Sequence, residues 1–176
     1  MPLLLTLLGA ITAIGIWVWR MRNAADTAHE ILDVANDIRA AARRFGFRRN
    51  YNRHPVEDIE DPNIAIAGIA VSFLELDDYP TQEEKDAMIR GLQAELNLNP
   101  KDASEIAVLG RWMMTQCNGA DSAIDRLSRK LYKLDKANAF TPLMAVLKTM
   151  LGEAEGPMND KQKGALEDIQ HAFKIS

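Results

Sequence analysis

Hydrophobic and polar positions follow three successive patterns along the chain. The first is Pro2 to Trp19, eighteen positions without a charge, with Arg20 and Arg22 directly behind them. A helix of that length covers roughly 27 Å, close to the hydrocarbon thickness of a thin bilayer. The run predicts a membrane anchor. No Lys or Arg precedes it, and it ends in bulky Trp17 and Trp19 rather than a small-x-small cleavage site, so a cleaved leader fits less well. Trp17 and Trp19 suit the membrane interface. Gly9 and Ala13 are small enough for close helix contact within the bilayer.

The second pattern places Ala24, Ala28, Ile31, Ala35, Ile38, Ala42 and Phe45 at spacings of 4, 3, 4, 3, 4 and 3 residues. That is the 3.5-residue period of a coiled-coil seam. It predicts a helical stem over 23–45, closed by Gly46. Two readings stand for the stripe. Either it pairs with a second helix, or it docks on the chain's own domain, as Leu32, Val34 and Ala41 widen the apolar surface.

The third pattern is helical throughout 56–176, with no alternating strand segment. Asp61-Pro62 predicts a helix start before NIAIAGIAVSFLEL. Thr81-Gln82-Glu83-Glu84 forms a capping box for a helix to about Leu96. Asn99-Pro100 opens another helix to about Cys117, and Asn118-Gly119 ends it. Asp121 or Ser122 is expected to cap the next, which runs to about Lys136. Thr141-Pro142 is expected to start LMAVLKTMLG. Gly156-Pro157 breaks the chain, and Asn159-Asp160-Lys161-Gln162 is a looser capping box. Six helices over about 120 residues suffice to bury one core.

Charge divides along the same lines. Residues 1–53 hold eight Arg and four acids, a net of 8 − 4 = +4; residues 54–176 hold thirteen Lys+Arg and twenty-one Asp+Glu, a net of 13 − 21 = −8. The arginines after the uncharged run predict that the long C-terminal part is cytoplasmic. An acidic domain argues against nucleic acid as a partner. Arg43, Arg44, Arg48, Arg49 and Arg53 alternate with Phe45, Phe47 and Tyr51, which reads either as a contact for anionic lipid heads or as a solvated linker. The single cysteine, Cys117, excludes a disulfide within one chain.

A weak repeat relates the two capping boxes. Adding 78 carries Asp77 to Glu155, Pro80 to Met158, Thr81 to Asn159, Glu84 to Gln162, Ala87 to Ala165 and Met88 to Leu166. Each half is an apolar helix, an acidic turn, a capping box and an amphipathic helix. The arrangement resembles the TerB-like domain, a helical fold named from tellurite-resistance proteins and also present in DjlA-type membrane-anchored J-domain co-chaperones. That family repeats Asp-Gly-x-(Ile/Val)-(Ser/Thr)-x-x-Glu between two helices. The first copy here, Asp77-Asp78-Tyr79-Pro80-Thr81-Gln82-Glu83-Glu84, keeps the first Asp, the hydroxyl residue and the final Glu. The second, Glu155-Gly156-Pro157-Met158-Asn159-Asp160-Lys161-Gln162, keeps the Gly and an apolar residue. The J domain is missing: the only His-Pro, His54-Pro55, is followed by Val56 rather than Asp.

The resemblance implies divalent-cation binding by Asp77, Asp78 and Glu84, joined either by Glu75 or by Glu155 across the repeat. Hard cations take six to eight oxygens, of which these carboxylates would supply part. The competing reading is structural, because Glu84 completes a capping box and acids suit a helix N-terminus. No catalytic motif stands out. His29, His54 and His171 are scattered, and Cys117 sits among Met113 and Met114 on an apolar helix. Arg126, Arg129, Lys130, Lys133 and Lys136 recur on one helix face, either as a solvated exterior or as a docking surface for an acidic partner or lipid headgroups.

These readings predict an all-α protein: a single transmembrane anchor at 1–22, a helical stem and basic linker at 23–54, and at 55–176 a TerB-like bundle built as a pseudo-repeat of two helix hairpins. The expected setting is a bacterial inner membrane with the C-terminal domain in the cytoplasm. The expected role is non-catalytic: a membrane-tethered scaffold, linked to envelope stress. It would touch lipid through the anchor, and other membrane proteins or a second copy through Gly9, Ala13, Trp17, Trp19, Ala28, Ile31, Ala35, Ile38 and Ala42. Two other classes are open: an accessory or assembly subunit of a large energy-transducing (respiratory or photosynthetic) complex, and a divalent-metal-responsive sensor. No cofactor other than a divalent cation is expected.

Overall fold

The computed structural model describes residues 35–77, 79–154 and 156–175. Gly9, Ala13, Trp17, Trp19, Ala28, Ile31, Asp78 and Glu155 lie outside the described residues. The chain divides into two units, Met1–Asp37 and Ile38–Ser176. Residues 35–44 are helical (α1), with Ala35 in the first unit. There follow a 3-10 turn Pro55–Asp58, then α2 Pro62–Leu74, α3 Gln82–Leu96, α4 Pro100–Gln116 and α5 Ala120–Asp135. A second 3-10 turn Lys136–Ala139 leads into α6 Phe140–Leu151, and α7 Asp160–Phe173 is last. No strand occurs among the described residues. None of their helices is long and apolar enough to cross a membrane, and the run 2–19 falls outside them.

The second unit is organised around α2. Asp61 starts it by accepting from the Asn63 N–H at 2.9 Å, with Pro62 at the first helical position. From Ile64 to Leu74 every residue is buried, as an uncharged run of Ile, Ala, Gly, Val and Phe requires. The polar exception, Ser72, donates its hydroxyl to the Gly68 carbonyl at 2.7 Å one turn back. The helices packed most extensively on α2 are α4 and α5.

Glycine sets the α2–α4 approach. A Cβ on Gly110 would stand 2.9 Å from the backbone C and O of Ala67 and the N of Gly68. The two backbones are therefore in direct contact. A second close crossing joins α3 to α6, where a Cβ on Gly91 would meet Val146 Cα at 3.3 Å. The fourth major pairing, α5 with α7, has an aromatic seal: Phe173 lies edge-on to Tyr132 at 5.8 Å and tilted against Phe140 at 5.3 Å.

This packing differs from two side-by-side hairpins. Helices α2 and α3 touch less than α2 touches α4, while α6 packs chiefly on α3 and α7 on α5. The helices that each capping-box turn joins are not each other's principal partners. The turn sequences define where helices start but carry no information on which apolar faces fit.

Four starts follow their side-chain signals: Asp61, Thr81, Asn99 and Asn159 each cap the helix they precede. Two do not. α5 begins at Ala120 behind Gly119, with no side-chain cap from Asp121 or Ser122. α6 begins at Phe140, running on from the 3-10 turn, so Thr141 and Pro142 sit inside the first turn rather than before it. Lys136 at that junction has φ 54° and ψ −139°, a strained region for a residue with a Cβ. Ala139 and Leu143, just beyond it, are buried in the core.

In α1, Ala41 is fully buried, and Ile38 and Ala42, with Phe45 just behind the helix, pack partly buried against the same core. From Ile38 onward the apolar stripe is thus covered by the domain that follows it.

Gly110→Ala should destabilise the chain by about 1–3 kcal/mol, because the new methyl meets backbone that cannot yield. Gly164→Ala, where a Cβ meets nothing within 4 Å, should stabilise α7 by about 0.5–1 kcal/mol through helix propensity. Thermal melts followed by circular dichroism should shift in opposite directions. Equal shifts would show that the α2–α4 contact is not the constraint described.

Candidate interaction surface

The acidic turn between α2 and α3 is engaged in its own structure. The Thr81 hydroxyl accepts from the Glu84 N–H at 3.2 Å, and Glu84 Oε2 accepts from the Thr81 N–H at 2.8 Å. Glu84 is only 4% exposed. Asp77 Oδ1 accepts from the Tyr79 N–H at 3.1 Å, closing a local turn. Glu75 pairs with Arg111 of α4 at 2.8 Å. The matching turn before α7 repeats the cap: the Gln162 N–H donates to Asn159 Oδ1 at 2.9 Å, and the Asn159 N–H to Gln162 Oε1 at 3.0 Å. Asn159 Nδ2 also donates to the Leu76 carbonyl at 2.9 Å. That bond joins the two turns across 83 residues. Among the described residues, no three His, Cys, Asp or Glu groups gather in a way that could hold a metal ion.

The basic segment behind α1 is anchored to the domain at several points. Arg44 pairs with Asp102 in the first turn of α4 and with Glu105 one turn on. Phe47 packs edge-on against Trp112 at 5.8 Å, and the Arg49 guanidinium lies over both Trp112 and Tyr51, at 5.6 and 5.3 Å. The Asn50 N–H donates to Asp58 Oδ2 at 2.6 Å. His54 accepts from the Val56 N–H on Nδ1, so Nε2 carries the proton and donates to the Gln116 carbonyl at 3.0 Å. Arg44, Arg49 and His54 are therefore used to seat the linker, while Tyr51 stays 87% exposed.

The basic stripe of α5 lines an open groove of about 220 Å³. Ala123, Ile124, Leu127, Ser128 and Leu131 bury the opposite face of the helix. This fixes Arg126, Arg129, Lys130 and Lys133 outward on one side, at i, i+3, i+4 and i+7. Glu57 of the first 3-10 turn supplies the facing wall, and Asp125 the upstream end. Lys130 Nζ donates to the Glu57 carbonyl at 2.8 Å, and Arg129 pairs with Asp125 at 2.6 Å. Arg126 and Lys133 make no ion pair among the described residues. The cationic spacing and the Asp125–Arg129 pair are visible in the sequence. Glu57 is 68 positions from Asp125, and no local pattern connects them.

Cys117 caps the end of α4 and is 6% exposed. Burial pushes its thiol pKa up, and Arg126 pulls it partway back. Compared with family models, with curated proteins and with solved structures, the chain gives no match.

The raised thiol value gives a signed expectation. The fold favours the protonated form, so this contribution to stability is fully present below the ordinary thiol pKa of about 8.5 and is lost as pH rises through the folded value. The native chain should react slowly with a thiol reagent at pH 8 and fully after denaturation. Equal rates in both states would overturn the burial of Cys117.

Proposed function

We propose that this chain is a non-catalytic, membrane-tethered interaction protein: an anchor at 1–22 holding a TerB-like helical domain at the cytoplasmic face of a bacterial inner membrane. The interaction role is carried by one observation, the gathering of Arg126, Arg129, Lys130 and Lys133 around a single groove on a segment, 54–176, whose net charge is −8. Electrostatic contrast of that kind guides encounter and orientation. The tether rests on the uncharged run 2–19 and the eight Arg within 20–53. The TerB-like reading is supported by the all-helical fold and by the two capping-box turns joined through Asn159 and Leu76. The role of accessory subunit in a larger membrane complex is favoured by Gly9, Ala10, Ala13 and Gly15, small residues suited to helix contact in the bilayer.

Two measurements test this. Fused after Ser176, a cytoplasmic fluorescent reporter should be active and periplasmic alkaline phosphatase inactive, with the chain resisting alkaline extraction from membranes. Active phosphatase refutes the cytoplasmic orientation, and release by alkali refutes the tether. Copurification from mild detergent then separates the two roles, since a stoichiometric complex indicates a subunit and substoichiometric partners a scaffold.

A further inference from the structure

We infer that the α5 groove is a docking site for an acidic amphipathic helix of a partner protein. This deepens the interaction reading above and rests on it. The four cations follow i, i+3, i+4 and i+7 along a helix whose other face is buried, so the helix fixes their attachment points in one row. Arg126 and Lys133 mark its two ends, roughly 10 Å apart along the helix axis. Both are exposed, with no ion-pair partner among the described residues. Arg129 and Lys130 between them are held in place by Asp125 and the Glu57 carbonyl. A partner helix with carboxylates at the same four positions presents a matching row, because helices share one side-chain period.

The shape of the site decides against a membrane. A bilayer is flat, and this row lies in a concavity of about 220 Å³ between α5 and the 3-10 turn. Glu57 and Asp125 also line that concavity, two acids that an anionic headgroup layer would meet beside the cations. A helix can place a neutral or basic residue opposite each of them, and an array of headgroups cannot.

The test is a titration of the full chain in neutral detergent, with fluorescence anisotropy as the readout. The probe is a labelled fifteen-residue alanine-based peptide with Glu at i, i+3, i+4 and i+7. A control peptide of identical composition has its Glu spread around the helix. The first peptide should bind more tightly than the control, and its binding should weaken as salt shortens the Debye length from about 30 to about 8 Å. Arg126→Glu with Lys133→Glu should weaken it about tenfold or more, as attraction turns to repulsion. Lys148→Glu with Lys163→Glu changes the net charge equally on other helices and should leave it within about twofold. Circular dichroism verifies the fold of each variant, and Arg126→Gln with Lys133→Gln provides a milder pair with the same direction of effect. Equal binding of the two peptides overturns the proposal, as does equal loss in the two charge-reversal variants. Displacement of the peptide by soluble short-chain phosphatidylglycerol at comparable concentration also overturns it, in favour of lipid. Because the titration takes place in detergent, its failure leaves the topology result unaffected, and failure of the tether leaves this result standing.

Discussion

The α2–α4 backbone contact at Gly68 and Gly110 is the constraint on which the remaining packing depends. It lets a helix with no polar face sit at the middle of the unit, covered by α4 at backbone distance and by α5 beside it. Interiors are close-packed and yield little, so a methyl at Gly110 displaces a whole helix rather than a rotamer. With α2 enclosed, α5 has one face committed to the core, and its charged face can point only outward.

Most of the polar chemistry in the domain serves to seat its parts. Glu84 and Gln162 complete caps, Glu75 holds Arg111, and Asp102 with Glu105 holds Arg44. Surface pairs of this kind contribute modestly each. The linker at 47–54 is held against α4 by other contacts, Phe47 and Arg49 on Trp112 and His54 on the Gln116 carbonyl, and Lys130 ties the 3-10 turn with Glu57 to α5. The groove is thus a product of linker docking: its floor comes from α5 and its wall from a segment tied down by Asn50 to Asp58, His54 to Gln116 and Lys130 to Glu57.

The charge distribution gives this arrangement a direction. An acidic domain repels most acidic surfaces at long range, so attraction is confined to the groove, where four cations outnumber two acids. Such a site selects by matching spacing, and an unmatched acidic surface gains little from it. In the function proposed above, this selective groove and the uncharged N-terminal run divide the work between recognition and tethering.

Helix content and most helix starts were legible from residues alone because caps are local. Asp61, Thr81, Asn99 and Asn159 bond backbone groups two or three positions ahead, and those partners are present in any chain with that sequence. The cationic row of α5 was legible for the same reason, since helical period alone puts its members on one face. The starts of α5 and α6 were not, because Gly119 and the 3-10 turn before Phe140 are set by how α4, α5 and α6 must reach their partners. Nor were the pairings of α3 with α6 and α7 with α5, or the arrival of Glu57 opposite Lys130. Those depend on which apolar surfaces exclude water together most completely. That quantity belongs to the folded shape, and no window along the chain contains it.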